Sequence, residues 1–234
     1  MNNELQNLLN SIESSDYSDH PYENLYATNI FWDDFYNEIL DNLPHPKSYF
    51  TQPGTQSKTS IARRTLPIGR DYHKFHSIWK EVTDILLSQE LKKTLLDHFK
   101  KTVRPDHADP YVILHSDQKD YMIPPHPDIP AWKRNGRTMN LMIYLPPDNS
   151  HENCGTIVNT KEGAQFKEYK RFKFHKNSAC AFPVGENSWH SVDPLTDEKF
   201  VRNSLIVAYH IPDEKGLYDG YSLYTNEYDA GPHQ

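Results

Sequence analysis

The chain has 234 residues, a formal net charge of −7, a hydrophobic fraction of 36%, 15 tyrosines and two cysteines. Its length suits one domain with a real core, and its acidic balance excludes a broad basic face for nucleic acid. Two cysteines are too few for a disulfide scaffold or a cysteine zinc site. No run nears the roughly 20 apolar residues of a membrane span, and the start lacks the basic-then-apolar pattern of a secretory signal; the expectation is a soluble cytoplasmic protein.

The first hundred residues read as helical. "NELQNLLNSI" is a short amphipathic segment, and "TNIFWDDFYNEILDNL" sets Ile30, Phe31, Phe35, Ile39 and Leu40 at helical spacing behind a cap at Thr28 or Asn29. A polar, proline-bearing loop and an extended "IARRTLPIG" follow. A helical stretch then spans Tyr72 to Val103, broken near Ser88, where "SQE" has the form of a fresh N-cap with acid in the first turn.

From Tyr111 the texture changes to eight short β-rich runs: "YVILH", "DYMI", "TMNLMIYLP", "GTIVN", "FKEYKRFKF", "SACAFP", "SWHSV" and "FVRNSLIVAYH". Turn signals such as "DNSHENCG", "TKEG" and "FPVGEN" separate several of them. Short strands after a helical half predict a mainly β fold, a barrel or double-sheet jelly roll buttressed by N-terminal helices. With no internal repeat or linker, the chain reads as a single domain: helical support over 1–105, a β core over 106–212 and an irregular tail over 213–234.

Within "HADPYVILHSDQKDYMIPPHPD" the pattern His-x-Asp occurs three times. Residues two apart on an extended strand share a face, so each pair is a candidate metal grip. Random placement of 13 His and 19 Asp in 234 residues predicts about one such pair, so context must decide. His107/Asp109 abuts Pro110 with no strand before it. His115/Asp117 opens "SDQKD", which reads as the polar turn of a hairpin, with its carboxylate facing water. Only His126/Asp128 has strands on both sides. His107, Asp109, His115 and Asp117 are therefore assigned to surface or loop roles, and Cys154 and Cys180 to unpaired structural thiols.

A third ligand is needed. Of the downstream histidines, His190 in "GENSWHSV" opens a strand after a turn, and it alone has an arginine, Arg202, about a dozen residues on in the next strand. Two histidines and a carboxylate fill one face of an octahedral iron and leave the other open for a chelating organic cosubstrate and dioxygen. A remote carboxylate on that cosubstrate calls for a buried bidentate cation, which Arg202 supplies better than a lysine would. Ser204, on the same strand face, adds a hydroxyl.

The ordered set "HPD", "RTMNLMIYLP", "WHSV" and "RNS", over roughly residues 111 to 210, resembles the Fe(II)- and 2-oxoglutarate-dependent dioxygenases, and "R…YLP" is nearest their prolyl-hydroxylase-like branch. The resemblance implies a double-stranded β-helix and Fe(II) held by His126, Asp128 and His190. It also implies 2-oxoglutarate held by Arg202, Ser204 and Tyr144, with O2 as second cosubstrate. The implied reaction hydroxylates a small-molecule or peptidyl substrate and releases succinate and CO2. Pro146 departs from the "YLN" usual in the branch, so the loop after it is expected to differ. Trp189 reads as packing, and Arg137 as a candidate substrate contact. A nucleic-acid demethylase of the same superfamily is disfavoured, because "RNSLIVAYH" has no second arginine. A cupin-like metal-binding protein without 2-oxoglutarate turnover stays open, and the substrate and oligomeric state carry no readable code.

Overall fold

A computed structural model describes residues 2–51, 62–99, 111–128 and 137–211. The candidate pair His107/Asp109 and the tail over 213–234 lie outside these, as does the Arg137 side chain. Among the described residues the chain runs α1 (Asn3–Glu13), β1 (Asp16–Ser18), β2 (Asn24–Thr28), α2 (Asp33–Asp41), β3 (Phe50–Thr51), β4 (Arg63–Leu66) and α3 (Ile68–Asp71). It continues with α4 (Ile78–Leu86), α5 (Gln89–His98), β5 (Tyr111–Asp117), β6 (Ile123–His126), β7 (Arg137–Tyr144) and β8 (Ile157–Glu162). β9 (Gln165–Arg171), β10 (Ser178–Pro183), β11 (His190–Val192) and β12 (Arg202–Ile211) complete it. Seven of the eight β-rich runs hold a strand, while "DYMI" meets β6 only at Ile123, since that strand runs on to His126.

Local chemistry accounts for the starts of α1 and α5. The Asn2 side chain accepts from the Glu4 N–H at the start of α1, and Leu5, Leu8, Leu9 and Ile12 form its buried stripe. The Ser88 hydroxyl accepts from the Leu91 N–H at 3.2 Å, which restarts the helix where the sequence predicts a break. The cap expected at Thr28 or Asn29 is not used. Thr28 ends β2, Asn29 turns the chain with φ 54°, and α2 begins behind Trp32 with Asp33 and Asp34 in its first turn.

The strands form two antiparallel sheets. The larger has the order β1-β2-β10-β7-β12-β5-β4-β3 and the smaller β6-β11-β8-β9. Two sequence expectations change here. The first hundred residues are not only helical: β1 and β2 extend one side of the large sheet, and β3 and β4 the other. Nor do β5 and β6 form a hairpin, because β5 pairs with β4 and β12 while β6 crosses to the small sheet and pairs with β11.

Alternation on the large sheet separates two cores. Leu66, Val112, Leu114, Leu141, Ile143, Leu205 and Val207 face outward and pack with Trp79, Val82, Leu91 and Leu95 of the helices. Their alternates Met142, Tyr144, Cys180 and Phe182 face inward, where they meet Val158 and Val192 of the small sheet. This double burial explains why β7 reads as nearly continuous apolar sequence. The inward positions left polar on β4, β5, β7 and β12 build the site.

Candidate active site

His126 closes β6 and His190 opens β11, and the two residues are direct register partners. Their rings lie 4.3 Å apart between centroids. Asp128 follows at φ 54°, a left-handed conformation that aspartate tolerates better than most residues. That turn sends its carboxylate back between the rings, with Oδ1 2.9 Å from His126 Nε2 and Oδ2 3.2 Å from His190 Nε2. The three residues group as one set of metal-capable donors, all within 4.8 Å of one another.

The hydrogen bonds identify which nitrogens face inward. His126 Nδ1–H donates to the Pro124 carbonyl at 3.0 Å, and His190 Nδ1–H donates to the Ser188 carbonyl at 2.8 Å. A carbonyl only accepts, so each Nδ1 carries hydrogen and each ring turns its Nε2 toward the same carboxylate. Two imidazole nitrogens converging on one carboxylate share either protons or a metal cation with it, and a bound cation would take the place of the two Nε2 protons. Spacings of about 3 Å are what neighbouring ligands of one small octahedral ion adopt. The donor set therefore fits a divalent ion such as Fe(II).

The electrostatics agree. Burial opposes ionisation of Asp128, but the charge of His190 and hydrogen bonds from both histidines outweigh it and hold the carboxyl far below its ordinary range. Burial lowers the His190 pKa, and its contacts with Asp128 reverse that into a net rise. Asn140, inward on β7, donates from Nδ2 to Asp128 Oδ2 at 2.9 Å and steadies the ligand from behind. The His126 and Asp128 side chains are about a third exposed, at 31% and 32%, so the centre opens on one side.

A second polar layer lies deeper on the large sheet. Arg63, Asp117 and Arg202 sit directly opposite one another on β4, β5 and β12. Asp117 is 0% exposed, so its predicted place at a solvated turn is wrong. It accepts from Arg63 Nε at 2.7 Å, Arg63 Nη2 at 3.0 Å and Arg202 Nη1 at 2.9 Å. His115 is likewise buried, with Nδ1 3.3 Å from the Thr65 hydroxyl. Both corrections have one cause: β4, distant in sequence, covers β5 and turns a presumed turn into an inner strand.

Arg202 is 1% exposed, and its Nε donates to the Cys154 carbonyl at 2.7 Å. That carbonyl precedes Gly155, where a Cβ would meet the Phe172 carbonyl oxygen at 1.7 Å, so only glycine lets the two backbone segments pass this closely. Arg202 Nη2 is buried with no partner, and so is Ser204 Oγ, two residues along the same face. A buried cationic donor and a buried hydroxyl without partners fit a carboxylate such as the remote end of 2-oxoglutarate. Tyr144 lies with its ring 5.6 Å from the Arg202 guanidinium. Its hydroxyl already donates to Thr156 Oγ1 at 2.9 Å and accepts from the Thr156 N–H at 3.0 Å. The ring thus floors the arginine while the hydroxyl is spoken for.

The structure thus gathers His126, Asp128 and His190 at one centre and Arg202, Ser204 and Tyr144 around a second. Sequence reasoning missed Asn140, Arg63, Tyr121 and Tyr22. Tyr121 lies under Arg63, with the guanidinium carbon 4.4 Å from its ring centre, and its buried hydroxyl has no partner. The buried Tyr22 hydroxyl also has none; its ring packs on Phe182, which packs on His190. Inward alternation on β7 is a signal that could have found Asn140, whereas nothing local marks Tyr22 or Arg63. Trp189 is half-buried against Phe166 at 4.7 Å, with the Lys161 ammonium 4.5 Å from its ring, in keeping with packing.

Residues 111–210 match the family model described as the 2OG-Fe(II) oxygenase superfamily. No curated protein sequence matches the chain. Among solved structures, the chain is similar to a prolyl hydroxylase from Trichoplax adhaerens in complex with a hypoxia inducible factor peptide fragment. The TM-score is 0.53 at 12% identity, covering 93% of each chain. A prolyl 4-hydroxylase of Phytophthora capsici gives TM-score 0.55 at 14% identity, covering 92% of this chain and 68% of that one. A Pseudomonas putida prolyl-4-hydroxylase gives 0.50 at 10% identity, covering 88% and 98%. These likenesses show a shared fold, the double-stranded β-helix core with flanking helices.

Proposed function

We propose that this chain, whose residues 111–210 match the 2OG-Fe(II) oxygenase superfamily, is an enzyme of that family that uses Fe(II), 2-oxoglutarate and O2 to hydroxylate a small-molecule or peptidyl substrate. In this reading His126, Asp128 and His190 hold the iron through Nε2, a carboxylate oxygen and Nε2. The convergence of both Nε2 atoms on one carboxylate carries the assignment. Arg202 Nη2 and Ser204 Oγ receive the remote carboxylate of 2-oxoglutarate, supported by their burial without partners. When bound, the iron and its cosubstrates supply the oxidising chemistry, with succinate and CO2 released.

The protein's share is orientation and exclusion of water. The Pro124 and Ser188 carbonyls hold each imidazole in the tautomer that presents Nε2, and Asn140 fixes the carboxylate. Met142, Phe182, Val184 and Val192 line the space between the sheets and keep it apolar. The Trichoplax protein's peptide complex favours a peptidyl substrate. Among the described residues no helix is long and apolar enough to cross a membrane. Free Cys154 and Cys180 accord with action in the reducing cytoplasm.

Anaerobic titration with Fe(II) and then 2-oxoglutarate is expected to give a weak visible charge-transfer band. Iron binding with no band at saturating 2-oxoglutarate would refute the reading. Succinate release across a panel of peptides and metabolites then identifies the substrate.

A further inference from the structure

The charged row on β4, β5 and β12 has an imbalance. Asp117 and Arg202 alone would make a neutral buried pair, and an incoming carboxylate would meet Asp117 as well as the arginine. Arg63 changes the sum. It takes both oxygens of Asp117, at 2.7 and 3.0 Å, and leaves the row with two positive charges and one negative. The neighbouring row does not alter this: burial, Arg63 and Arg202 together hold the His115 pKa well below its ordinary value, so it is neutral. Two of Arg202's nitrogens are fixed, one by Asp117 and one by the Cys154 carbonyl, so Nη2 alone is free to meet a ligand.

We infer that Arg63 is a specificity-determining residue of the cosubstrate pocket, whose charge makes the pocket select a 2-oxo acid bearing a second, remote carboxylate over one that lacks it. The inference rests on the proposed binding of 2-oxoglutarate at Arg202. Arg63 touches no part of the metal centre and acts through Asp117, so it is a positioning residue. It also lies outside residues 111–210, so the family match does not include it. In a site shielded from bulk water, one unbalanced charge near a carboxylate changes affinity by at least about tenfold.

The test uses the full chain loaded with Mn(II), which binds such ligand sets without supporting turnover. Calorimetry gives Kd for 2-oxoglutarate and for 2-oxopentanoate, which has the same keto-acid end and a methyl group in place of the remote carboxylate. Arg63→Met is expected to weaken 2-oxoglutarate at least tenfold while leaving Mn(II) and 2-oxopentanoate within about twofold. Arg63→Lys should keep most of the preference. Arg63→Met with Asp117→Asn restores the row to one net positive charge and should recover it. If Arg63→Met is too unstable to purify, Arg63→Gln, with a donor left for Asp117, carries the same expectation. Equal loss of both keto acids, no loss of either, or no recovery in the double variant overturns the inference. Wild-type protein that binds Mn(II) but not 2-oxoglutarate overturns the proposed function itself, and this inference with it.

Discussion

Replacing Asp117 by alanine separates the buried reading of this residue from a solvated one by several kcal/mol. The change removes three charge-assisted hydrogen bonds and leaves two guanidinium groups facing each other. Removing one partner of a buried ion pair typically costs about 3–5 kcal/mol, because the remaining charge is unpaired and out of water. Arg202, at 1% side-chain exposure, takes the full cost, whereas Arg63, at 16%, can turn partly toward solvent. The expected loss is therefore about 4 kcal/mol. At roughly 2–4 °C per kcal/mol for a chain of this size, Tm should fall by about 8–16 °C. Urea unfolding at pH 7, followed by circular dichroism with the slope checked for constancy, measures it. A loss under about 1 kcal/mol, the value of an exposed ion pair, would show that Asp117 is not enclosed between the two arginines.

His115, neutral inside the fold, gives a pH signature. Its folded pKa lies well below 6.5, so the unfolded state takes up a proton that the folded state refuses. Its contribution is complete above about pH 6.5 and is lost as pH falls below it, with a slope of up to about 1.4 kcal/mol per pH unit. His115→Gln should flatten that slope between pH 4 and 6, and an unchanged slope would rule His115 out as its source. Asn140→Ala should weaken Mn(II) binding by about 10–100-fold in calorimetry, since it removes the donor behind Asp128; unaltered affinity would show that Asp128 needs no such support. Burial pushes the Cys180 thiol up to about 12. A thiol-reactive dye at pH 8 should therefore modify Cys180 only after unfolding, and rapid reaction of both cysteines in native protein would contradict its enclosure.

The candidate metal centre was legible because its logic is local. His126 and Asp128 stand two apart at a strand end, and His190 opens a strand with Arg202 at a fixed distance beyond. The β-rich runs located seven of the eight core strands, with "DYMI" reaching β6 only at Ile123, and Ser88 marked the break between α4 and α5. Helix starts were less legible where no side chain caps them, as at α2, whose boundary is set by β2 running on through Thr28.

What the sequence by itself determined was the order of the chemistry: which residues can ligate a metal and which strands carry them. Only the tertiary structure decided what surrounds those residues. Period-2 alternation says that Ile113, His115 and Asp117 share a face, but it does not say whether that face meets water. The answer depended on Arg63, which pairs with Asp117 across 54 positions, and on Arg202 across 85. Pairing at such range is chosen by the closure of the whole sheet rather than by neighbouring residues. For that reason a stretch that reads as a polar hairpin turn became the charged floor of the site.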